Sequence, residues 1–88
     1  MLKDHTPMYK DKKVRGAFID KAKAVFEARK AEFGLEAGVV GIEPESGDVF
    51  VGAMLGEANA AAYAQYPDEW IYFARIEDPD AGLPLRTW

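Results

Sequence analysis

The sequence predicts one α+β domain, in the order α-β-β-α-β, with two helices packed on a three-stranded antiparallel sheet. Three observations carry this. Apolar residues recur at helical spacing from about Lys10 to Phe33. Two short β-branched runs follow, joined by a turn that holds a proline and a glycine. A second helical stretch then leads into an aromatic strand. The chain has 88 residues, enough for one core and too few for two, and a chain of this size buries only about 60–65% of its unfolded surface.

In the first helix Val14, Phe18, Ala22, Val25, Phe26 and Phe33 lie three, four or seven apart, which puts them on one face. Gly34 suits the left-handed residue that ends a helix, and Lys30 sits in the final turn, where the dipole favours a cation. Gly16 weakens the first turns, and Asp11 is one of several available caps. Gly38-Val39-Val40-Gly41-Ile42 and Asp48-Val49-Phe50-Val51 form a β-hairpin across Glu43-Pro44-Glu45-Ser46-Gly47. Met54 to Tyr66 reads as the second helix, with Leu55, Ala58, Ala62 and either Ala61 or Gln65 on one face and Pro67 just beyond. Trp70-Ile71-Tyr72-Phe73-Ala74-Arg75-Ile76 is the third strand. The domain thus spans 10–76. Residues 1–9 are expected to be flexible, and 77–88, with Pro79, Gly82 and Pro84, to be an irregular tail.

A right-handed crossover through the second helix places the third strand beside the first, giving sheet order 2-1-3. Both faces of that sheet are apolar: Val40 and Ile42 oppose Val39, Val49 and Val51 oppose Phe50, and Ile71 and Phe73 oppose Trp70 and Tyr72. Two covers are therefore needed. Either the first helix supplies the second cover, or both helices share one face and a second copy of the chain takes the other.

The absence of cysteine excludes disulfides, thiolate metal sites and cysteine nucleophiles, and suits a cytoplasmic setting. Met1 to Pro7 carries charge and a proline where a secretory leader needs its apolar stretch. No window approaches the ~20 apolar residues of a membrane span. The one serine, Ser46, sits in the hairpin turn, and the one histidine, His5, in the polar N-terminus, so no nucleophile–base pair is evident. Asp78, Asp80 and Gly82 imitate the start of a calcium loop, but the glycine comes one place early and the bidentate glutamate is missing. Glu43, Glu45 and Asp48 crowd the hairpin tip, where they could gather a divalent cation weakly, though charged residues at an exposed turn are also what solubility alone produces. The glycines match neither a P-loop nor a dinucleotide fingerprint. No catalytic, cofactor or metal residues are assigned, and a small metal-dependent enzyme using the tip carboxylates stands as the third reading.

Residues 1–30 hold nine of the eleven Lys and Arg against four acids, a charge of +5, and 31–88 hold two against eleven, or −9, which together make the net −4. Lys12, Lys13, Lys21, Lys23 and Lys30 give the first helix a basic flank able to meet phosphates. Asp20 and Glu27 interrupt it and its aromatics sit at core spacing, so a solvated face drawn to the acidic sheet is the favoured reading and nucleic-acid binding the alternative. Arg29, between Phe26 and Phe33, is expected to snorkel or to pair with an acid across the core edge.

In a 2-1-3 sheet the third strand is an edge whose backbone groups lie open beside large apolar side chains, which solitary domains avoid. Its cover would be the C-terminal tail through Leu83, Leu85 and Trp88, the N-terminal segment, or the same strand of a second subunit. The favoured reading is a non-catalytic protein-interaction module, homodimeric through this strand, with Trp70, Tyr72, Ala74 and Trp88 as its surface.

Val40-Gly41-Ile42, Pro44, Ser46-Gly47, Val49-Phe50, Gly52, then Glu57-Ala58 and Pro67-Asp68, resemble a family of small, uncharacterised bacterial ββαβ domains over Val39 to Ile76. The resemblance covers about half the chain and implies a fold with no assigned activity. More distantly, the hairpin and the Glu-Ala helix start resemble antitoxins with a partly degraded double-stranded-RNA-binding fold. Those carry a separate DNA-binding segment, which is not found after Ile76.

Overall fold

A computed structural model describes residues 11–34 and 37–86. The predicted terminal segment 1–9 and Trp88 lie outside them.

Helix α1 (Lys12–Arg29) opens on Asp11, whose carboxylate accepts from the backbone N–H groups of Lys13 and Val14 at 2.9 and 3.4 Å. It ends in a 3₁₀ turn, Lys30–Glu32, and Gly34 then takes φ +73°. Strands β1 (Val39–Glu43) and β2 (Asp48–Gly52) form the expected hairpin. Gly47 at φ +80° donates to the Glu43 carbonyl at 2.9 Å, and the buried Glu43 carboxylate accepts from the N–H groups of Glu45 and Ser46. That side chain therefore folds the turn from within. Helix α2 (Leu55–Gln65) leads to β3 (Trp70–Arg75), which lies antiparallel to β1.

One expectation is overturned. The tail is not irregular: Asp78–Arg86 is a fourth strand, β4, antiparallel to β3, so the sheet has the order β2-β1-β3-β4 and four strands, not three. The third strand is thus interior, not an edge. Proline is tolerated in β4 because of ladder phase. Ile76 N–H donates to the Gly38 carbonyl at 3.0 Å, so Gly38, Val40 and Ile42 bond toward β3, and their partners Ala74 and Tyr72 bond back toward β1. Ile71 and Phe73 then bond toward Leu85 and Leu83, which leaves the nitrogen of Pro84 on the outer side, where no N–H is needed. Pro79 and Gly82 sit in the irregularity opposite Phe73 to Arg75. The Tyr72 hydroxyl donates to the Pro79 carbonyl at 2.5 Å, and Lys23 of α1 pairs with Asp80 at 2.7 Å.

The question of the covers also resolves, because each helix takes one face. Ala22, Phe26 and Phe33 pack on Val40, Ile42, Tyr72 and Ala74, and the Phe26 and Phe33 rings meet edge to face at 5.2 Å. On the opposite face Ala58, Ala62 and Tyr63 pack on Ile71 and Phe73. Gly52 lets α2 approach that closely, since a Cβ there would stand 2.6 Å from Glu57 Cβ and 2.8 Å from Ala58 N. Val14, expected in the core stripe, is 41% exposed.

Candidate interaction surface

A four-stranded sheet is roughly 14 Å across, and a helix is about 10 Å wide. Helix α2 packs chiefly on β2 and β1, with lesser contact to β3. The β3–β4 half of that face is left as a groove of about 560 Å³. Its floor is Val39, Phe73 and Leu85, and Met54, Leu55 and Leu83 stand on its rim, with Arg75 and Glu77 close by. Those three rim side chains are 67%, 47% and 49% exposed, while the core beneath is sealed. Glu57 fixes the Met54 corner by accepting from the N–H groups of Ala53 and Met54 at 2.7 and 3.3 Å.

The strand residues singled out from sequence, Trp70, Tyr72 and Ala74, share one face of β3, and it is the face on which α1 packs. Tyr72 and Ala74 are buried on the α1 face, and Trp70 is half-buried at the start of β3. Burial pushes the Tyr72 phenol above its ordinary pKa. No joint surface of Trp70, Tyr72 and Ala74 is presented, because β4 occupies the edge it required. Of the basic flank, Lys23 is committed to Asp80, whose hydrogen bond raises its pKa, and Lys21 approaches Glu45 at 3.8 Å. Lys12, Lys13 and Lys30 are exposed. Arg29 reaches across the core edge to a backbone carbonyl and not to an acid, Nη1 donating to Gly47 at 2.8 Å; its acid partner is the neighbouring Glu32, to which Nη2 donates at 2.9 Å. That bond raises the pKa of Arg29 and lowers that of Glu32.

The hairpin-tip carboxylates are turned to separate tasks. Glu43 holds the turn, Glu45 faces Lys21, and Asp48 accepts from the Tyr66 hydroxyl, which raises the phenol's pKa. Among the described residues no three His, Cys, Asp or Glu side chains converge to hold a metal, and no helix is long and apolar enough to cross a membrane.

Of the groove residues, Val39, Met54 and Leu55 carry no site assignment from sequence, and Leu83 and Leu85 are named there only as a cover for the third strand. The available signal was the alternation of Leu83 and Leu85 about Pro84, a strand period hidden by the proline. No family model, curated protein or solved structure compared with this chain matches it.

Proposed function

We propose that this chain is a non-catalytic protein-interaction module whose docking surface is the groove between α2 and β4. The observation that carries this is the uncovered half-face: Met54, Leu55 and Leu83 stand exposed around a cleft floored by Phe73 and Val39. Small domains seldom leave such a cluster in water without a use for it. Adaptable Met54 at the rim suits a surface that repacks on its partner. The occupant is an amphipathic helix of a partner protein. An extended peptide would need ladder bonds from the adjoining edge of β4, and Pro84 interrupts those, whereas a helix satisfies its own backbone and needs only apolar anchors. The engagement of Glu43, Glu45 and Asp48 in turn, ion pair and phenol contacts supports binding over catalysis.

The test is a peptide library displayed on phage, panned on the intact chain and counter-selected against Leu83→Asp. Leu83 is half exposed, so the variant keeps its fold, which circular dichroism checks. Enriched peptides should carry apolar residues at helical spacing and bind the variant at least about tenfold more weakly, as loss of an anchor residue does. No enrichment, or binding indifferent to Leu83→Asp, overturns the reading.

A further inference from the structure

The two outer edges of the sheet are built differently. On β4 the outward positions include Pro84, which has no N–H, and the strand is broken by its irregularity, both of which block extension of a sheet. On β2 the same ladder phase gives the opposite result. Val39, Gly41 and Glu43 bond toward β2, so their partners Gly52, Phe50 and Asp48 bond inward and Val49 and Val51 turn their N–H and C=O groups outward. Strand β2 carries no proline and no irregularity, and among the described residues no strand pairs with its outer side.

We propose that β2 is a homodimer interface, joining two copies of this chain through antiparallel β2–β2 pairing about a two-fold axis at Phe50. The occupant is argued from self-complementarity. In that register Val49 exchanges both backbone bonds with Val51 of the second copy, the β-branched side chains fall opposite one another, and Phe50 meets its own counterpart. Asp48 falls opposite the uncharged Gly52, so no like charges oppose. An axis at Val49 or Val51 instead runs one end of the strand past its partner and uses only part of the edge. The interface lies at the edge away from the groove, so it stands or falls independently of the docking reading.

The experiment uses the whole chain in multi-angle light scattering, with Phe50 as the reporter. Wild type should run at twice the chain mass in the tens to hundreds of micromolar. Phe50→Glu and Phe50→Arg, each setting like charges face to face at the axis, should each dissociate at least about tenfold more readily, and an equimolar mixture of the two should regain the dimer. Phe50 packs on Tyr66, so either variant is first checked for fold by circular dichroism. Phe50→Cys gives the second measurement. The chain has no native cysteine, and an axial, non-hydrogen-bonded pair places its Cα atoms about 4.5 Å apart, within disulfide reach. Mild oxidation should convert Phe50→Cys to a covalent dimer and leave Leu83→Cys, at the other edge, monomeric. A wild type at single-chain mass, a dimer unmoved by folded Phe50 variants, or equal crosslinking at both positions overturns the proposal.

Discussion

Gly82→Ala tests the fourth strand most directly. A Cβ at Gly82 would stand 2.5 Å from Tyr72 Cζ, 2.6 Å from the Tyr72 hydroxyl oxygen and 2.6 Å from the Phe73 carbonyl oxygen. One of these is backbone. The tyrosine cannot swing clear, because it is fully buried under α1 and its hydroxyl is held by the Pro79 carbonyl. Relief requires β4 to lift from β3, an overpacking cost of about 1–3 kcal/mol or more. Loss of glycine's freedom in the unfolded chain works the other way by about 0.4–1 kcal/mol, so the net expectation is destabilisation by about 1–2 kcal/mol. For a domain of this size that lowers the melting temperature by roughly 4–16 °C. Gly16→Ala is the matched control. It lies within α1, and apart from its chain neighbours and the adjoining helix backbone nothing stands within 4 Å of where a Cβ would be, so it should stabilise by about 0.5–1 kcal/mol. Thermal and urea melts followed at 222 nm read both. A Gly82→Ala variant as stable as wild type would refute the packing of β4 over Tyr72.

Asp11→Ala removes the acceptor for the Lys13 and Val14 N–H groups and should cost about 1 kcal/mol in urea melts. Phe26→Ala, in the sealed core, should cost about 3–5 kcal/mol, which a melt or loss of near-ultraviolet dichroism will register. Stability should also fall at both ends of the pH scale, as urea midpoints will show. The depressed pKa of Glu32 makes its contribution present above the ordinary glutamate value of about 4.3 and lost as pH drops through the folded value. Glu32→Gln should flatten part of that acid limb. Lys23 and Tyr66, both raised, contribute below about pH 10 and lose that contribution as pH climbs through their folded values. Both Lys23→Met and Tyr66→Phe should flatten the alkaline limb.

What was legible in the sequence was whatever a local period or a turn residue encodes. The stripe Phe18, Ala22, Phe26 and the Pro44–Gly47 turn each announce their element within a few residues, and the apolar pattern on both sides of Val39–Ile42 and Trp70–Phe73 demanded two covers. The fourth strand was not legible, because Pro79, Gly82 and Pro84 are local signals against a strand, and the reasons they are tolerated are tertiary. Pro84 is admissible only because the phase of the whole ladder, set as far away as the Gly38–Ile76 bond, turns its nitrogen outward. Gly82 is required because Tyr72 lies against it. A strand carrying such residues is a poor nucleator of sheet and a good terminator of one.

The same logic accounts for the groove and for the edges. With the tail paired to β3, the aromatic strand needs no second chain at its edge. Two other places are left unserved by the fourth strand. One is the half-face left open because the single helix α2 sits over β2 and β1. The other is β2, which lacks the proline that caps the opposite edge. Widening the sheet by one strand both buried the surface first singled out and created the apolar half-face that now stands open. The two proposed surfaces lie on different sides of α2, so occupation of one would leave the other open.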